Sequence, residues 1–141
     1  MKMPTTFLLI LAMLAAPSAV GAQSIEPRST WANDHGSVLV IQSVAPDGRL
    51  TGTYSSSLPD YPCRNIAFPL VGWVAGDIIA YAMRAKSESA DCGTITSWTG
   101  ALRDGKLYAE WSLATVDPQS KKPVLSHGTD IYHRKSVVSQ R

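Results

Sequence analysis

No stretch of this chain repeats its apolar residues every three to four positions over helical length, so nothing in it reads as an amphipathic helix. Basic residues form no run or stripe, and the formal net charge is only +2, which removes the usual footprint of a nucleic-acid binder. Three histidines and two cysteines fall without metal-ligand spacing. No serine sits in a strand–turn–helix nucleophile elbow. Ser126, His127 and Asp130 are close in sequence, but adjacent residues on a strand point apart. The chain therefore reads as a non-enzyme with no metal and no cofactor. Internal repeats and low-complexity tracts are missing too.

One long apolar run does exist. Phe7–Ala16 follows the positive charge of Lys2 and is too short to span a bilayer. Val20-Gly21-Ala22 fits the small-residue cleavage site of a secretory leader. Residues 1–22 are read as a cleaved signal peptide, and the mature protein as secreted or periplasmic, with no membrane segment. The remainder has the length of one domain, assigned to residues 23–133, with residues 134–141 as a polar tail. In an exported chain the two cysteines, Cys63 and Cys92, are most simply a disulfide.

What remains is short β-branched or alternating segments divided by turn residues. Strands are predicted at Ser37–Ile41, Leu50–Ser55, Ala67–Val74, Ile78–Met83, Thr94–Leu102, Leu107–Ala114 and Leu125–His133. Pro46-Asp47-Gly48, Ala75-Gly76-Asp77 and Arg103-Asp104-Gly105 supply turns. A short strand near Asn33 and an extension over Ser56–Leu58 bring the count to about eight. The fold class is all-β, an eight-stranded antiparallel up-and-down β-barrel, which closes every edge and encloses room for one small ligand.

Several of these segments repeat polar or aromatic residues at even spacing. Asn33 and Ser37 share a parity, as do Tyr54 and Ser56, then Thr94, Thr96 and Trp98, and finally Trp111 and Leu113. Residues two apart on a strand share a face. A buried face carrying an amide, hydroxyls and tryptophans is costly unless a ligand uses them.

Taken in order, the segments Thr30–Ser37, Leu50–Ser56, Thr94–Gly100, Trp111–Leu113 and Gly128–Tyr132 resemble the avidin and streptavidin family of biotin-binding proteins. The likeness runs from about Ser29 to Tyr132. It implies that Asn33, Ser37 and Tyr54 donate to the ureido oxygen of biotin. Ser56 and Asp130 would accept from the ureido N–H groups, Thr96 would lie near the thioether, and Thr94 would bind the valerate carboxylate. Trp98, Trp111 and Leu113 would wall the pocket. Trp31 is read as structural, a tryptophan ahead of the first strand that plugs a barrel end.

Three departures from the family pattern matter. A tryptophan usual late in the fifth strand is replaced near Ala85. His35 stands where the family has a small or apolar residue beside the ligand, and either adds a hydrogen bond or faces solvent; Leu58 is a further pocket neighbour. Lys121-Lys122-Pro123 stands where tetrameric members carry an intersubunit tryptophan, which resembles the dimeric, rhizavidin-like branch and implies a homodimer. In that branch a disulfide links the loop after the third strand to the loop before the sixth, where Cys63 and Cys92 fall. Two other readings remain open. One is an avidin-like barrel with weakened biotin binding and another small ligand. The other is an exported interaction or inhibitor barrel that uses the Gln23–Arg28 segment.

Overall fold

A computed structural model describes residues 24–136. The expected leader lies outside them. Eight strands follow one another: β1 (Ser29–Asn33), β2 (Val38–Val44), β3 (Arg49–Ser55), β4 (Phe68–Ala75), β5 (Ile78–Lys86), β6 (Asp91–Arg103), β7 (Lys106–Val116) and β8 (Pro123–Arg134). Each pairs antiparallel with the next, and β1 pairs with β8, so the sheet closes on itself. The predicted barrel is the fold found.

Alternation decides which residues turn inward. On β5, Ile79, Tyr81, Met83 and Ala85 are buried while Ile78, Ala80, Ala82, Arg84 and Lys86 are exposed. Fully buried Trp31, Leu39, Ile41, Leu50, Leu70, Ile79, Leu107 and Tyr132 fill the barrel. Trp31 does its filling from the middle of β1, not ahead of it. Its indole Nε1 donates to Ser29 Oγ at 3.1 Å, and the Arg134 guanidinium lies 5.9 Å from its ring centre.

The two barrel ends differ. At one end the connections are the tight turns between β2 and β3, β4 and β5, and β6 and β7. In the first, Gly48 takes a φ of 85°, a conformation L side chains resist, and its N–H donates to Ala45 O. These turns are tied to the strands beside them: Val74 N donates to Gly48 O at 2.8 Å and Leu102 N to Asp77 O at 2.7 Å. The connections between β1 and β2, β3 and β4, β5 and β6, and β7 and β8 lie at the other end, which includes the two longest loops, β3–β4 and β7–β8.

Four sequence expectations need correction here. Ser56–Leu58 is not a strand. Leu58 precedes Pro59, which restricts it, and the chain curls back so that Asn65 N donates to Ser56 O and Tyr61 N to Leu58 O. The short strand expected near Asn33 is β1, and with it the count is eight. Asn33 and Ser37 are not on one strand either, because a turn over residues 34–36 separates them. The polar tail begins later than residue 134: Arg134 completes β8 and Lys135 N donates to Thr30 O at 2.8 Å. Cys92 sits within β6 itself and not in the loop before it.

Cys63 and Cys92 are joined in a disulfide across a sequence separation of 29. Closing a loop of that length restricts the unfolded chain by roughly 3–4 kcal/mol.

Candidate functional site

A cavity of about 240 Å³ opens at the long-loop end. Of the ten residues assigned to ligand binding from sequence, nine line it: Asn33, Ser37, Tyr54, Ser56, Thr96, Trp98, Trp111, Leu113 and Asp130. The tenth, Thr94, does not. His35 and Leu58 also line the cavity, and both are exposed, which places them at its mouth. Ala85 is fully buried but takes no part in the wall.

Asn33 shows how the local chain prepares a polar group. Its Oδ1 accepts from His35 N at 3.1 Å and from Ser37 N at 2.9 Å. This Asx-type turn spends the oxygen of the amide and leaves its NH₂ as the end available to a ligand. Ser37 Oγ likewise accepts from Ser57 N at 3.0 Å and lies 3.4 Å from Ser57 Oγ, whose own proton goes to His35 O. The even spacing of Asn33 and Ser37 thus reaches one cavity through a turn and not through strand parity.

Tyr54 adds a further donor. Burial holds its phenol above the ordinary tyrosine range, with the Ser37 hydroxyl working the other way, so it stays protonated through neutral pH. Its ring meets Trp98 at a centroid distance of 4.6 Å, and Tyr81 stacks on Trp98 at 4.9 Å. Trp98 is therefore held by contact with two rings. Both Trp98 Nε1 and Tyr81 Oη are buried without a hydrogen-bond partner.

The acceptors lie on β8 and at the end of β3. Asp130 Oδ2 accepts from Tyr132 Oη at 3.2 Å, an anchor that orients the carboxylate. Tyr132, wholly buried, has its own phenol pushed up by burial and by the neighbouring tyrosines. Ser56 Oγ accepts from Leu58 N at 3.3 Å and keeps a second lone pair.

Trp111 faces Gly128 across the β7–β8 pair. A Cβ at residue 128 would fall inside the space of the indole ring. Glycine there lets the tryptophan lie flat over β8 and form the wall.

Sequence reasoning missed five lining residues: Tyr61, Phe68, Met83, Gly128 and Thr129. Met83 was accessible in principle, because it alternates with Tyr81 on β5 and pairs in register with Thr96. Phe68 opens β4 with its side chain inward. Tyr61 belongs to an irregular loop, where no periodicity signals direction.

Outside the cavity, His127 Nδ1 and Ser112 Oγ are 2.9 Å apart on the outer face of β7 and β8. His127 thus pairs across the sheet and not with Ser126 or Asp130. No cluster of three or more His, Cys, Asp or Glu among the described residues could hold a metal ion.

Comparison with known proteins agrees with this fold. Residues 21–135 match the model of the Avidin family. Afifavidin of Afifella pfennigii is 28% identical over 139 residues, covering 87% of this chain and 84% of that protein. The crystal structure of apo shwanavidin superposes with a TM-score of 0.72 at 30% identity, over 81% of this chain and 100% of its own. A rhizavidin–biotin complex gives 0.75 at 26% identity, over 82% and 98%.

Proposed function

The chain belongs to the avidin family, and from that membership we propose that it binds biotin in the barrel-end cavity, without chemical change to the ligand. One observation supports the reading: Asn33, Ser37, Tyr54, Ser56 and Asp130, the residues matched to the ureido contacts, all line one cavity together with Trp98 and Trp111. A cyclic urea offers one strong acceptor and two donors, the complement of that set.

Asn33, Ser37 and Tyr54 donate to the ureido oxygen and polarise it, as an oxyanion hole would, but with no reaction to follow. Ser56 and Asp130 accept from the two N–H groups, and an ionised Asp130 makes its contact charge-assisted. Thr96 lies beside the thioether. Trp98, Trp111 and Leu113 cover the apolar faces of the bicycle and exclude water, which strengthens each polar contact within. Because turn and strand geometry fix these groups beforehand, little entropy is lost on binding. The protein acts as a homodimer outside the cytoplasm; a stable disulfide belongs in an oxidising compartment.

Calorimetric titration of the oxidised protein with biotin, followed in parallel by tryptophan fluorescence, tests the reading. Tight binding of one biotin per chain is expected, with a fluorescence change from Trp98 and Trp111. A titration with neither heat nor fluorescence change sinks it. Weak binding would favour another cyclic urea as the ligand of the same cavity.

A further inference from the structure

The ring of the ligand is well provided for, but the far end of its side chain is not. Thr94, the residue matched to the carboxylate, does not reach the cavity. Its Oγ1 lies 3.1 Å from Tyr61 Oη, and it is Tyr61 that lines the wall in front of it. No lysine or arginine is among the lining residues.

Tyr61 also stands at the appropriate height. Asn33, Ser37 and Tyr54 are buried, whereas Tyr61 is half-buried and keeps company with exposed His35 and Leu58. Ring donors are therefore deep and Tyr61 is near the mouth. Two residues beyond Tyr61, Cys63 is bonded to Cys92, which is itself two residues ahead of Thr94. Disulfide and hydroxyl contact are two rungs between the same two segments. They fix the tyrosine although it rides on a loop. Ala85, small and fully buried, lies on the adjoining strand, and Tyr61 packs against the same apolar cluster.

A phenol can accept one hydrogen bond while donating another. When the Thr94 hydroxyl donates to Tyr61 Oη, the Tyr61 proton is left for the ligand. Hydrogen bonds in such a chain polarise one another, and a charged acceptor makes the last one the stronger. His35 is the other donor-bearing side chain at the mouth, but no hydrogen bond among the described residues fixes its ring.

We infer that Tyr61 receives the terminal carboxylate of the ligand, with Thr94 as the positioning residue behind it, so that the site selects for a side chain with an anionic end. This rests on the biotin reading of the ring pocket.

The test measures affinity for biotin and for an analogue in which methyl replaces the carboxylate, using the wild type, Tyr61→Phe, Thr94→Val and His35→Ala. Tyr61→Phe is expected to weaken biotin by about tenfold or more, the scale of one charge-assisted hydrogen bond. The analogue should stay within about twofold under the same change, since it has no acceptor to lose. Thr94→Val should cost biotin less, and nothing further when Tyr61 is already Phe. Equal losses for both ligands in Tyr61→Phe would make Tyr61 a wall residue only and overturn the inference. So would a biotin-selective loss in His35→Ala with none in Tyr61→Phe. A wild type that binds both ligands equally overturns it while leaving the ring reading intact; one that binds neither removes both.

Discussion

Gly128 is the residue on which the wall of the cavity turns. Its side of β8 has space only because a side chain is missing, and Trp111 fills that space. Gly128→Ala forces the indole to move, and the barrel itself has no other reason to respond. We expect biotin affinity to fall by at least about tenfold, the order of a lost aromatic contact. The fluorescence response should shrink while the far-ultraviolet circular dichroism of the barrel persists. Unchanged affinity would show that Trp111 makes no useful contact. Asn33 teaches a different lesson at the same scale. Its type and place were readable from sequence, but the direction of its amide depends on a turn that no spacing rule describes.

Among the elements, β3, β5 and β8 each contribute a buried tyrosine: Tyr54, Tyr81 and Tyr132. Burial is the main cause that raises all three phenols above their ordinary range. The sign of the consequence follows from proton counting. An unfolded tyrosine ionises near about pH 10. Above that pH the unfolded chain holds fewer protons than the folded one, so stability is complete below it and falls as pH rises. Each such residue removes about 1.4 kcal/mol per pH unit in that range. Thermal melts should therefore hold level to about pH 10 and then drop. Tyr81→Phe should be neutral or mildly stabilising at neutral pH, because its hydroxyl is unpartnered, and should make the alkaline drop shallower. A midpoint that stays level well beyond the tyrosine range would show that these phenols ionise freely in the fold.

Strands were the readable part of this chain. Alternation with period two places Ile79, Tyr81 and Met83 on one face, and turn residues mark where each hairpin folds. The segment from Ser56 to Ala67 was the unreadable part. Its course is set by hydrogen bonds to distant backbone and by a covalent link, neither of which leaves a periodic trace. That is why Thr94 and Ala85 were assigned to the cavity while Tyr61 was not. The register of β5 and β6 could be inferred, but the loop that comes to lie against them could not.

The whole molecule presents one face that a single barrel does not account for. Val71, Trp73, Ile78, Ile95, Leu125 and Ile131 are large, apolar and exposed, with Leu125 at 67% and Trp73 at 59%. Strand register puts them on the outside of β4 to β8, interleaved with small residues such as Ala80, Ala82, Ser97 and Ala114. Trp73 accordingly belongs to this surface and cannot stand in for the missing pocket tryptophan. Ile95 and Leu125 fall toward one end of these strands and Ile78 and Ile131 toward the other, with Ser97, Ser112, His127, Thr99, Glu110 and Thr129 in register between them. Exposed apolar residues in such number on one sheet mark an interaction surface. Sedimentation should give twice the mass of one chain. Leu125→Arg should yield single barrels that still bind biotin, since the cavity lies on the inner side of the sheet. A one-chain mass for the unaltered protein at high concentration would remove the dimer.

β1 and β8 are neighbours, so the two ends of the described chain leave the barrel together. Arg134 pairs with Glu26 at 3.1 Å, and Lys135 bonds to Thr30. They leave from the tight-turn end, whereas the cavity opens among the long loops opposite. A cargo or anchor joined to either terminus would hold the molecule by its base and present the mouth outward, and a short peptide joining both termini would allow the chain to be opened afresh at Asp104-Gly105 without touching any residue of the cavity.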